Sequence, residues 1–78
     1  MDKSQIIKEL EPIFFDILNK KISLNEETNA SNIEEWDSLA NFNILMEIER
    51  KYKISFNLNE IEKLKNIGEM ANLILKKI

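Results

Sequence analysis

Residues 37–52, DSLANFNILMEIERKY, contain the pattern that decides the fold of this 78-residue chain. On a helix, with about 100° between successive residues, their apolar side chains fall on two faces. The first face is a stripe expected to pack in the core: Ile44, Leu45, Ile48 and Tyr52. The second, which we name the apolar strip, follows i, i+3, i+7 spacing: Leu39, Phe42 and Met46. The pattern predicts a helix from around Asp37 or Ser38 to Tyr52 with one apolar face more than a core requires.

A further helix is predicted before this one. We expect Ser4 to be its N-cap. Seven apolar residues then recur at helical spacing: Ile6, Ile7, Leu10, Ile13, Phe14, Ile17 and Leu18. Pro12 interrupts the run without changing its phase. We therefore expect either a kinked helix or two tightly joined segments.

Two more helices are predicted after residue 52. The segment 53–56 favours a short extended link, and Asn57 or Asn59 then caps a brief third helix. Asn66, with Glu69 three residues later, is typical of the start of a last helix, as in a capping box.

Between the first two long helices, residues 21–37 lose the helical period and are rich in Ser, Asn, Thr and Glu. Four apolar residues in this loop favour an ordered segment wrapped over the helices: Ile22, Leu24, Ile33 and Trp36. With only one Gly and one Pro, the chain is poorly suited to hairpins. The sequence predicts an all-α fold, a small four-helix bundle of three main helices and one short helix, forming a single domain over residues 1–78.

Composition argues against several classes of function. Cys and His are both absent, which removes the usual nucleophile, general base and transition-metal ligands. A net charge of −3 gives no positive field for nucleic acid and favours basic protein partners. Neither a secretion signal nor a stretch long enough to span a membrane occurs, which indicates a cytoplasmic protein. We expect no enzyme and no metal site, because the scattered carboxylates are typical of a solvated surface.

Ser38 is the most suggestive single residue. It follows Asp37 at the predicted start of a helix and at the end of a long loop, where a hydroxyl is expected to be exposed. A phosphodiester on that hydroxyl would lie near unpaired helix amides, which favour an anion. Spacing alone favours the simpler interpretation that Asp37 or Ser38 only caps the helix, because such caps are common.

The motif of residues 37–39, Asp-Ser-Leu, followed by an apolar helix that ends in residues 49–52 and then Ile54, resembles the acyl carrier protein family. Residues 33–36, Ile-Glu-Glu-Trp, are similar to the stretch found in many free-standing carriers outside central fatty-acid synthesis. The order of helices also matches that family over essentially the whole chain. Motif, position and length together make the resemblance fairly specific.

The resemblance implies a carrier and not an enzyme. A phosphopantetheinyl transferase would move 4′-phosphopantetheine from coenzyme A onto Ser38, and this arm would supply the thiol that the chain lacks. Acyl groups would be attached as thioesters by an acyl- or aminoacyl-loading ligase and delivered to acyltransferase or synthase enzymes of lipid metabolism, including fatty acid biosynthesis. A monomer suits such a shuttle.

The resemblance also implies which residues meet the partner enzymes. Asp37 would face a basic patch on the transferase, and the apolar strip would dock partners. The candidate recognition residues are Asp37, Leu39, Phe42, Met46, Glu47 and Glu49. For Phe42 and Met46 the alternative is packing beneath the loop or against the third helix. The inner faces carrying Ile44, Ile48 and Ile61 could also shelter a short acyl chain.

Two departures from the family pattern favour a specialised pathway. Carriers of fatty-acid synthesis commonly have Gly before Asp-Ser-Leu, whereas this chain has Trp36. They also carry several acidic residues on this helix, whereas here Glu47 and Glu49 are accompanied by Arg50 and Lys51. Two other hypotheses stay open: an aminoacyl or peptidyl carrier using the same serine, and a helical interaction module whose serine is never modified.

Overall fold

The computed structural model describes all 78 residues and contains four α-helices and no strand. Their bounds are α1 Lys3–Leu18, α2 Ser38–Tyr52, α3 Leu58–Lys63 and α4 Ile67–Lys77, and a short 3₁₀ helix, Ala30–Asn32, lies in the loop after α1. The predicted all-α bundle of three main helices and one short helix is therefore confirmed. No helix is both long enough and apolar enough to cross a membrane.

The start of α1 differs from the prediction. Asp2, not Ser4, is the N-cap, because its Oδ1 atom accepts a hydrogen bond of 2.9 Å from the amide of Gln5. A carboxylate at this position also complements the positive end of the helix, which Ser4 in the first turn cannot do. Pro12 lies inside α1, which continues through it as one helix, so the two-segment alternative is wrong. Pro12 is exposed, as is Lys8, whose carbonyl loses its helical partner to the proline.

One apolar core joins α1, α2 and α4, with α1 packed against both of the others. The predicted stripe of α2 supplies Ile44, Leu45 and Ile48, all buried. Full burial of a side chain of this size contributes about 1.5–3 kcal/mol relative to exposure. Tyr52, at the end of the stripe, is half-buried, and its hydroxyl donates a hydrogen bond of 2.6 Å to the Oε1 atom of Glu9 on α1.

The loop between α1 and α2 is held on both sides, as its apolar residues predicted. Three of them are buried and Ile22 is half-buried; the buried ones are Leu24, Ile33 and Trp36. The amide of Leu24 donates 2.9 Å to the Glu11 carboxylate on α1. On the other side, carbonyl oxygens of the loop accept hydrogen bonds from the first amides of α4. The loop is therefore bonded to both α1 and α4.

The two short connections after α2 are set by caps. The predicted extended link is wrong at its first residue, because Lys53 takes the left-handed conformation with φ of 57° and caps the end of α2. Asn57, not Asn59, caps α3, and the Glu60 carboxylate accepts a hydrogen bond of 3.0 Å from the Asn57 amide. Asn66 caps α4 as predicted, accepting from the third amide of the helix at 2.8 Å.

Candidate functional site

Ser38 is the first residue of α2, and it is exposed. The preceding residue, Asp37, is the N-cap. Its Oδ1 atom accepts a hydrogen bond of 2.9 Å from the amide of Ala40, and its carbonyl accepts one of 2.8 Å from the amide of Asn41. Of the two candidate caps, Asp37 therefore occupies the role. This leaves the hydroxyl of Ser38 available for chemistry.

The backbone beside Ser38 favours a negative group. The amides of Ser38 and Leu39 donate to no acceptor within the protein, because the capping bonds go to the next two amides. These free donors lie at the positive end of a helix of 15 residues. A phosphodiester on the Ser38 oxygen fits this position, because the hydroxyl is exposed for attachment and the free amides favour a negative charge.

Trp36 holds the loop in place just before the serine. Its ring is buried and meets Phe14 of α1 edge-on, with the ring centres 4.9 Å apart. Its indole Nε1 donates a hydrogen bond of 2.9 Å to Oδ1 of Asn41, which lies one turn into α2. Sequence reasoning recognised Trp36 as an anchor but missed Asn41. The available signal was a polar residue one turn before Ile44 of the core stripe.

The apolar strip lies on the surface close to Ser38. Leu39 is 71% exposed, Phe42 59% and Met46 43%. Neither Phe42 nor Met46 is covered by the loop or by α3, so the packing alternative is wrong. Exposed apolar side chains in a row along one helix are characteristic of an interaction surface.

The predicted acidic recognition residues are partly engaged within the protein. Glu47 pairs with Arg50 one turn later, at 2.9 Å between Oε1 and Nη1. Glu49 is half-buried, and its Oε2 atom accepts a hydrogen bond of 2.7 Å from the amide of Phe56. This bond attaches the link after α2 to the helix. Glu47 is therefore ion-paired, whereas Glu49 has a backbone hydrogen bond and no cationic partner.

No group of three or more His, Cys, Asp or Glu side chains is arranged to hold a metal ion. Glu35, near the site, interacts instead with Lys20 at 3.4 Å. Of the residues predicted to line a shelter for cargo, Ile44 and Ile48 are fully buried and Ile61 is half-buried.

A bundle of this form, with an exposed serine at the start of its second helix, defines a helical carrier domain. The solution NMR structure of a holo acyl carrier protein from Geobacter metallireducens matches it with a TM-score of 0.85 and 43% sequence identity, over 91% of this chain and 83% of that one. No family model matches the chain, and no curated protein matches it. The chain belongs to the acyl carrier protein family. It is a carrier protein and not an enzyme, as predicted.

Proposed function

We propose that this protein carries acyl or related groups as thioesters on 4′-phosphopantetheine attached to the Ser38 hydroxyl. The observation that carries the proposal is the exposed Ser38 at the free, positive end of α2. The similar structure from Geobacter metallireducens is a holo form, which adds support. The terminal thiol of the bound arm supplies the nucleophile for thioester formation, which a chain without Cys cannot provide.

The attachment step needs a partner enzyme, because Asp37, the carboxylate next to Ser38 in the chain, is engaged as the N-cap of α2. The Ser38 oxygen forms an ester bond to phosphorus, the pyrophosphate bond of coenzyme A breaks, and the adenosine bisphosphate portion leaves. A phosphopantetheinyl transferase takes the hydroxyl proton. Asp37 has two roles here: its cap fixes the start of α2, and its exposed side chain presents a negative charge to a basic transferase surface.

The intact mass of the protein tests the attachment. Wild type and the variants Ser38→Ala and Ser55→Ala are each incubated with coenzyme A and a broad-specificity phosphopantetheinyl transferase. Ser55 is also exposed but lies in the link before α3, so it is the matched control. We expect wild type and Ser55→Ala to gain one phosphopantetheine and Ser38→Ala to gain none. A wild type that gains nothing would instead favour an unmodified interaction module.

The apolar strip is the docking surface of this proposal. It would meet the transferase, the acyl- or aminoacyl-loading ligase and the acyltransferase or synthase that takes the cargo. Glu47 is paired with Arg50 and Glu49 is bonded to the Phe56 amide, whereas the side chains of the apolar strip are exposed and free to contact a partner. Surface charges are strongly screened by salt, whereas apolar burial is not.

Transferase kinetics test the docking surface. Truncation of an interface anchor commonly costs more than about 1 kcal/mol, so Phe42→Ala is expected to raise the KM for the carrier about fivefold or more. Asn72→Ala, exposed on α4 and not on the helix that carries the strip, is the control and leaves the KM unchanged. If the KM rose steeply with salt concentration but did not change in Phe42→Ala, the docking would depend on charge instead.

We also propose a dedicated carrier of a specialised pathway and a location in the cytoplasm. Trp36 in place of the usual Gly, and an α2 whose acidic residues are internally engaged, support this specialisation. The test is incubation of the modified protein with housekeeping enzymes of fatty-acid synthesis. Slow or absent elongation is expected, and efficient elongation would count against the specialised role.

A further inference from the structure

One side-chain hydrogen bond spans the modification motif. The indole Nε1 of Trp36 lies before Asp37 and Ser38 in the chain, and its acceptor, Oδ1 of Asn41, lies after them, at 2.9 Å. The bond therefore closes a ring around the residues that present the serine hydroxyl. Trp36 is itself fixed, because its ring is 7% exposed and packs on the fully buried Phe14.

The other restraints on this turn are local. Asp37 accepts from the amides of Ala40 and Asn41, and the amide of Trp36 donates 3.1 Å to the carbonyl of Ile33. These bonds define the start of α2 but do not attach it to α1. Ala40 of the first turn of α2 packs against the core, and the side-chain bond from Trp36 adds a hydrogen bond that couples this turn to a ring seated on α1.

We propose that Trp36 and Asn41 are positioning residues for the modification of Ser38. By holding the first turn of α2 against the core, they keep the hydroxyl in the orientation that the transferase binds. Neither residue touches the reacting atoms; both act through the position of Ser38. This inference rests on the proposed attachment at Ser38 and adds to it which side chains make that serine a good substrate.

Without the bond, the turn samples other orientations, and the transferase binds only the competent fraction. The apparent KM for the carrier then rises by the inverse of that fraction, whereas kcat changes little. A neutral hydrogen bond changes an equilibrium constant by roughly threefold to tenfold, so a KM increase of that size is expected.

The experiment is a double-mutant cycle read out by transferase kinetics. Trp36→Phe keeps an aromatic ring against Phe14 and removes the donor, and Asn41→Ala removes the acceptor from a half-buried site. Each single variant is expected to raise the KM, and the double variant to raise it no further than the larger single effect. Asn72→Ala, exposed on α4 and without a side-chain hydrogen bond, is the control for an unrelated loss of an amide side chain.

A core variant separates positioning from overall stability. Ile74→Val is expected to lower the melting temperature through the core side of α4, a different helix from the one that carries Ser38, and to leave the KM at the wild-type value. In parallel, amide hydrogen exchange in Asn41→Ala is expected to be faster at residues 40 and 41, while amides in α4 keep their protection.

Several results would overturn the inference. They are single variants with wild-type KM, effects that multiply in the double variant, or an Ile74→Val protein whose KM rises as much. A wild type that accepts no phosphopantetheine would instead refute the proposed function. The exchange rates at residues 40 and 41 would then still show whether the bond orders the turn, which keeps the two failures distinct.

Discussion

The only glycine of the chain, Gly68, lies where the loop meets the start of α4. Its amide donates 2.9 Å to the carbonyl of Glu26, and the neighbouring amide of Ile67 donates 2.8 Å to the carbonyl of Thr28. A side chain at position 68 would lie against this approach, with a Cβ atom 2.9 Å from the Glu26 oxygen. Glycine is needed here because two backbones come close, and its φ is not in the left-handed region.

Gly68→Ala is therefore expected to lower the free energy of unfolding by about 1 kcal/mol, because the clash outweighs the better helix propensity of alanine. Chemical denaturation measures the effect. Asn72→Ala, exposed one turn later in α4, is the control and should be neutral or stabilising by a few tenths of a kcal/mol. If both variants were equally stable, the loop would be free to move away from α4, and its bonds to the helix would contribute little.

At the scale of elements, α3 depends on its caps more than any other helix. It has only six residues, Leu58–Lys63, and helices this short are unstable alone. Asn57 and Glu60 form a capping box, and the Glu60 carboxylate also reaches Lys77 of α4 at 3.0 Å. The bond from the Asn57 amide, and then the one from Lys77, lower the pKa of Glu60. The same carboxylate thus caps α3 and fastens it to α4.

Replacing the cap should loosen α3 before the rest of the bundle. Asn57→Ala is expected to cost about 1 kcal/mol and to speed amide exchange at residues 60 and 61. The matched control is Asn59→Ala, since Asn59 is exposed inside the same helix and caps nothing. Equal exchange rates in the two variants would mean that packing, not the cap, holds α3.

Helical period and cap spacing are local, and for that reason the sequence predicted most elements well. The bounds of α2 and the caps at Asn57 and Asn66 follow from residues at most a few positions apart. The start of α1 was misplaced because Asp2 and Ser4 are both good caps, and the choice depends on which turn packs against the bundle. The 3₁₀ turn at residues 30–32 was not predicted, because no apolar period marks it.

At the scale of the whole molecule, contacts between distant segments were beyond sequence reasoning. The motif located Ser38, and helical spacing predicted the exposed strip. To predict the hydrogen bond between Glu49 and the Phe56 amide, one would need to know the path of the link after α2. To predict the contact between Trp36 and Phe14, one would need to know how the loop packs on α1. Such pairs depend on how helices are arranged, which no local pattern encodes.

The longest-range hydrogen bond between side chains joins Tyr52 of α2 to Glu9 of α1, across 43 positions of sequence. Burial, and then this bond, raise the pKa of the Tyr52 hydroxyl. The folded protein therefore holds the phenolic proton more tightly than the unfolded chain does. The resulting stability is fully present below the ordinary tyrosine pKa of about 10 and is lost as pH rises above it.

Tyr52→Phe is accordingly expected to lower the free energy of unfolding by about 1 kcal/mol at pH 7, because it removes the bond to Glu9. The difference between wild type and variant should shrink by pH 10.5, where tyrosine ionises in the unfolded wild type but no phenol exists in the variant. Urea denaturation of both proteins at the two pH values measures this, since lysine titration is common to both and cancels. Glu9→Gln keeps an acceptor oxygen without its charge, so it should lose less than Tyr52→Phe at pH 7. A difference that stays constant between the two pH values would mean that folding does not change the pKa of the Tyr52 hydroxyl.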